Sequence, residues 1–175
     1  MLMMKIAGAA AAALLLSAGM ANAQSTRPTD PQIAHIAYTA GAIDVKAGEL
    51  ALKKSRNKAV RAFAQDMVRD HKAVNAQALA LVKKLGVTPE DNATSQALSK
   101  AAAAEYGKLS KLKGSAFNRA YIANEVAFHK TVNGALEQTL IPSASNPELK
   151  ALLGTGLKVF QGHLAHAEHI ESTVK

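Results

Sequence analysis

From Ile33 to Ile170 the apolar residues of this chain recur three and four apart, broken only by a few turn signals such as "SRN", "GVTP" and "IPSASNP". Apolar residues at that spacing form one stripe along a helix, whereas a strand needs strict alternation, which the sequence lacks. Alanine, leucine and lysine dominate, and all three favour helix. The chain is therefore expected to be all-α.

The punctuation sets the elements. A first helix is expected from about Ile33 to Lys54, after the Pro28 to Pro31 entry, with Ile36, Ala40, Ile43, Ala47 and Leu50 on its stripe and "SRN" as the following turn. The second, about Lys58 to Leu85, carries Val60, Ala64, Met67, Val74, Ala78, Leu81 and Leu85 and ends at Gly86 and Pro89. A long connection follows, whose alanine-rich middle predicts an additional helix between about Ser95 and Leu112. The third main helix covers roughly Ala116 to Leu140, and the last starts near Pro147, a favoured first-turn residue, and reaches about Ile170. Two short turns separated by one long connection suit an up-down-up-down four-helix bundle.

Polar residues intrude on the stripes. His71 lies within the stripe of the second helix, and His163 within that of the last, among Leu149, Leu153, Gly156, Phe160, Ala167 and Ile170. His166 falls at the rim and His169 points outward, so the three histidines of "GHLAHAEH" are not equivalent. On the third helix Glu125 and His129 share the face of Tyr121, Phe128, Val132 and Leu136. Asp44 sits at the edge of the first stripe beside the small residues Ala40, Gly41, Ala47 and Gly48, which would let a short carboxylate approach its neighbours.

Height brings these residues together. Counted from the turns at about 1.5 Å per residue, Asp44, His71, Glu125, His129 and His163 all fall roughly 15 to 24 Å from the same end of the bundle. Burying two carboxylates and three imidazoles is costly unless each is paired or coordinated, so the pattern calls for either a metal or a closed hydrogen-bond network.

The amino terminus has a different character. "MLMMKIAGAAAAALLLSAGMANAQS" has one lysine, an apolar run shorter than a membrane span and an A-x-A arrangement at Ala21 and Ala23. It reads as a signal peptide, residues 1–23, cleaved after Ala23 and leaving a single domain over 24–175 with no transmembrane segment. The expected location is the periplasm or the exterior. Cysteine is absent, so neither a disulfide nor a lipid anchor is available, but about 152 remaining residues can bury a core without them. Loss of Lys5 with the leader lowers the formal charge from +8 to +7. That excess could meet an anionic envelope surface or a protein partner, with Lys53, Lys54, Arg56, Lys58 and Arg61 clustered at the first turn. Nucleic acid is not the expected partner, because tryptophan is absent and the few aromatics sit at core positions rather than among arginines.

Four phrases carry a resemblance: "GAIDVKAGELAL", "VRAFAQDMVRDH", "AFNRAYIANEVAFH" and "FQGHLAHA". Together they make the chain similar to the family catalogued as domain of unknown function 4142, mostly exported bacterial proteins with a ferritin-like four-helix bundle. The resemblance implies that fold and points to the same first-helix acid and the same three histidines. Departures are Asp44 where glutamate is more usual, Asn118 where aspartate is frequent, and Lys158 where a proline is common.

Two functional readings remain open. In one, His71, His129 and His163, with Glu125 or Asp44, bind a divalent transition metal; zinc, copper and iron all suit imidazole with carboxylate. In the other, the same residues form a structural network in a non-catalytic envelope or stress-related interaction protein. A di-iron oxidase would need Glu-x-x-His pairs, and Glu125 and His129 are spaced one residue too far apart. No glycine-rich phosphate loop, cysteine nucleophile or serine elbow is present, so catalysis would have to run through a metal.

Overall fold

The computed structural model describes residues 27–174. The expected leader, 1–23, lies outside them. The described chain forms α1 (Asp30–Lys54), α2 (Lys58–Leu85), α3 (Ala93–Lys111), α4 (Gly114–Ala135), a π-helical turn (Leu136–Leu140), the short α5 (Ile141–Ser143) and α6 (Pro147–Glu171). No strand occurs among these residues, and no helix among them is long and apolar enough to cross a membrane.

Local chemistry sets the ends. α1 begins three residues before its expected start, because the Gln32 side chain reaches back to accept from Thr29 N at 3.2 Å and Pro31 fits the first turn. The Asp30 carboxylate accepts from the backbone N–H groups of Ser145 and Asn146, both at 2.8 Å, which ties the start of α1 to the start of α6. Asn57, Asn92 and Asn146 cap α2, α3 and α6 through their side-chain oxygens, and Gly86, at φ 65°, closes α2. The third main helix was expected to continue evenly to Leu140. Instead its last turn widens, with Ile141 N–H bonded to Leu136 O, immediately before Pro142, whose ring has no N–H and crowds the preceding turn of a regular helix.

α1 packs along α2, α4 along α6, and α2 along α6, while α3 lies against α1. The order of residues along each long helix shows a layered interior. In α1 the apolar Ile33 and Ile36 come first, then Asp44, then Leu50 and Ala51; α6 likewise runs from Leu149 and Leu153 through His163 to Ala167 and Ile170. α2 and α4 read the other way, from Phe63 and Met67 to His71, and from Phe117 and Ile122 through Glu125 and His129 to Leu136. A polar layer therefore separates two apolar ones.

The two apolar layers differ. The one holding Phe63, Met67, Phe117 and Tyr121 is solid, with all four side chains fully buried. The other surrounds a cavity of ≈ 570 Å³ between α1, α2, α4 and α6 and the start of α3. The second half of α2 lines this hollow, and Val74, Ala78, Leu81 and Leu85, all expected on its stripe, are only half-buried. Closed and empty, such a space would cost on the order of 14 kcal/mol at about 24 cal/mol per Å³, comparable with the whole folding free energy of a domain. Its rim reaches the exposed residues Ala93, Thr94, Thr131 and Ala135.

Candidate metal centre

Close helix approach builds the first wall of the polar layer. An added Cβ at Gly48 would stand 2.9 Å from Val68 Cγ2 and 3.2 Å from the backbone oxygen of Ala64, and one at Gly41 would collide with the Asn75 side chain. These two glycines flank Asp44 and bring α1 onto α2. Asp44 Oδ2 accordingly lies 3.4 Å from His71 Nε2. Asp44 is not at the edge of its stripe, as expected, but 3% exposed, while Ile43 is turned to a half-buried position. The glycine contact rotates the buried face of α1 toward the acid.

Five ionisable side chains meet here. Exposure is 1% for His71 and His129, 7% for His163, 3% for Asp44 and 0% for Glu125. One ring nitrogen from each of the three histidines lies within 4.8 Å of the others, and single donor atoms of Asp44, Glu125 and His129 meet the same limit. His129 belongs to both groups. The imidazole centroids are 5.2 Å apart for His71 and His163, 5.7 Å for His129 and His163, and 5.8 Å for His71 and His129.

Hydrogen bonds orient two of the rings. His129 Nδ1 sits 2.9 Å from the backbone oxygen of Glu125, which can only accept, so the proton belongs on Nδ1 and Nε2 keeps its lone pair. His163 Nε2 sits 3.0 Å from Asp70 Oδ2, which places its proton outward and leaves Nδ1 with the lone pair. Both freed nitrogens, His129 Nε2 and His163 Nδ1, are buried without a partner, as are both nitrogens of His71 and both carboxyl oxygens of Glu125. Metal-ligating histidines are held this way, with one nitrogen fixed by a carboxylate or carbonyl and the other turned to the ion.

Burial dominates the electrostatics. It pushes the His71 pKa down to about 2, helped by the neighbouring His129 and His163, and that of His129 down to about 4. It drives the Glu125 carboxyl up to about 8, and raises Asp44 well above the usual carboxylate range, with the nearby Glu125 adding to the effect. At neutral pH, burial thus keeps His71 and His129 neutral and Glu125 largely protonated, and it favours the protonated form of Asp44, so that a cation binding here would displace protons from the carboxyl groups.

A family profile described as "Domain of unknown function (DUF4142)" matches residues 15–170, which contain every helix described above except the last residue of α6. The chain belongs to the DUF4142 family. No curated protein matches it. Among solved structures it is similar to the crystal structure of a DUF305 fragment from Deinococcus radiodurans, with a TM-score of 0.70 and 17% identity over 83% of this chain and 98% of that one. That likeness is one of fold alone.

In this DUF4142 chain, then, all five residues selected from the sequence come together, while His166 and His169 are exposed. His166 instead packs its ring edge against Phe63. Sequence reasoning passed over four others. Asp70, next to His71 in sequence, holds His163 from across the α2 and α6 interface. Phe160 stacks flat on His71 with centroids 4.5 Å apart. The Tyr121 hydroxyl is buried without a partner, and burial, then the charges of Glu125 and Asp44, raise its pKa. Asn133, one turn beyond His129, also buries its amide unpartnered. Of these, only Tyr121 and Phe160 were visible in the sequence, as stripe positions; the pairing of α2 with α6 was needed to link Asp70 to His163.

The basic cluster is partly consumed by the fold. Arg61 donates to the carbonyls of Leu52 and Ser55, and Lys54 to that of Ser110 at 2.8 Å, which leaves Lys53, Arg56 and Lys58 exposed.

Proposed function

We propose that this protein is an exported metal-binding bundle, ferritin-like with up-down-up-down helices, that holds one divalent transition ion on His71, His129 and His163, with Glu125 or Asp44 completing the shell. The observation that carries the reading is the set of unpartnered nitrogens on three buried, converging imidazoles, two of them fixed in the tautomer a metal requires. Imidazole with carboxylate suits zinc, copper or iron. The reading is one of binding rather than catalysis. Export to the periplasm or beyond rests on the leader-like residues 1–23, and contact with an anionic envelope surface on Lys53, Arg56 and Lys58.

The alternative, a metal-free network in an envelope or stress-related interaction protein, draws on the contacts of Asp70 with His163 and of Asp44 with His71. It leaves the buried lone-pair nitrogens, Nε2 of His129 and Nδ1 of His163, without partners, which is why the metal reading is preferred. Elemental analysis of protein purified without chelator, followed by titration with zinc, copper and iron, separates the two. Near-stoichiometric metal that survives dialysis is expected, lost when His71 and His163 are replaced by alanine in a chain that circular dichroism shows still helical. Full metal content in that double variant would remove these residues from the site.

A further inference from the structure

The hollow apolar layer takes no part in metal binding, and its chemistry is uniform. None of the residues lining the cavity is Asp, Glu, Lys, Arg or His. Most of the wall is aliphatic, from Ile36, Val74, Leu98, Leu136, Leu140 and Leu153, and Phe160 is its one aromatic ring. Its polar groups are neutral amides and hydroxyls, of Gln32, Asn75, Asn92, Thr94, Thr131 and Thr139. Three of these gather where α1 and α3 begin: Asn92 Nδ2 donates to Gln32 O at 3.4 Å, and Thr94 beside them is exposed. On the side toward the polar layer Phe160 lines the wall and stacks on His71.

Size and charge together define an occupant. A volume of ≈ 570 Å³ falls within the range of small-molecule sites. An ionised headgroup held against this wall would find no counter-charge among the lining residues, which disfavours it relative to a neutral one. A flat polycyclic ligand would find one ring to stack on, whereas a hydrocarbon chain would find aliphatic contact along the whole length. We propose that this chamber binds a neutral single-chain lipid, of the long-chain alcohol or monoacylglycerol class, with its chain seated against Phe160 and its hydroxyl end among Gln32, Asn92 and Thr94. Binding there needs no metal, so the site stands or falls independently of the metal centre.

The purified protein is titrated with the neutral fluorophore N-phenyl-1-naphthylamine, which is then displaced by 1-dodecanol or by dodecanoate at pH 8. Saturable binding of one dye per chain is expected, with the alcohol competing at least about tenfold better than the carboxylate. A78F and G156L narrow the chamber from α2 and α6; a Cβ at Gly156 meets Phe160 and Val74 only at ordinary contact distances of 3.5 to 3.7 Å. Both variants should lose the dye while keeping their metal content. Should either fail to fold, the melting temperature of the unaltered protein provides the second reading, expected to rise with 1-dodecanol and not with dodecanoate. Absence of saturable dye binding, equal competition by dodecanoate, or undiminished binding in a folded, narrowed variant would overturn the proposal. So would dye binding that appears only after removal of residues 1–26, which would assign the chamber to this chain's own amino-terminal segment.

Discussion

His163 and Asp70 form a pair whose value depends on what lies on the far side of the ring. As a hydrogen bond alone, the Asp70 contact is part-exposed and contributes modestly to stability. As the support of a metal ligand it fixes the tautomer and makes Nδ1 more basic, and loss of such support typically lowers metal affinity about 10- to 100-fold. The substitution D70N keeps the shape and removes the charge. Competition against a chromophoric chelator should therefore show about 10- to 100-fold weaker metal binding in D70N, with a melting temperature within a few degrees of the parent. Unchanged affinity would mean that His163 is not a ligand. The sequence distinguished His163 from His166 and His169 because three-residue spacing rotates each side chain by about 60° relative to the last. It could not reveal Asp70 as a partner, because no periodicity within one helix encodes which residue of another helix stands opposite.

At the level of the elements, the α1 and α2 contact places Asp44 where the site needs it. Gly48 has a branched valine and a backbone carbonyl within reach of any added carbon, and neither moves easily. G48V should cost about 1 to 3 kcal/mol through overpacking and should weaken metal binding as α1 is pushed away from His71. Gly154 supplies the control, since it lies within α6 with nothing near its Cβ position. G154A should gain about 1 kcal/mol in helix propensity and leave metal affinity unchanged. Denaturant melts give the first quantity and chelator competition the second; a G48V chain as stable as the parent would contradict the close approach. The five long helices, their order and most of their boundaries were legible because Gly86, Pro89 and Pro147 punctuate strongly and the apolar stripes are long. The exact phase of α1 was not, since a face made of Ala40, Gly41, Ala47 and Gly48 carries too little hydrophobic contrast to tell Ile43 from Asp44. The π turn before Pro142 was hidden for a related reason: Leu136 and Leu140, four apart, fit a regular helix equally well.

For the molecule as a whole, the polar layer ties stability to pH and to metal through opposing terms. Glu125 and Asp44 have folded pKa values above their unfolded ones, so their contribution is complete below about pH 4 and is lost as pH rises, for Glu125 until about 8. His71 and His129 have folded values below their unfolded 6.5, so theirs is complete above that pH and is lost as pH falls toward about 4 for His129 and about 2 for His71. Between about pH 4.5 and 6.5 the two slopes oppose each other and stability should be nearly level. Above 6.5 only the carboxyl slope remains, and the metal-free protein should lose stability as Glu125 ionises toward pH 8. A bound divalent ion reverses that alkaline limb, because it takes the carboxylates ionised and the imidazoles neutral, so that stabilisation by metal should grow from pH 6 to pH 8. Melting temperatures at pH 5, 6, 7 and 8, with chelator and with excess metal, should therefore diverge as pH rises. A chelated protein whose melting temperature climbs between pH 6.5 and 8 would mean that Glu125 is ionised in the folded state, and the polar layer would then be an ion-paired network instead of an uncharged cluster awaiting a cation.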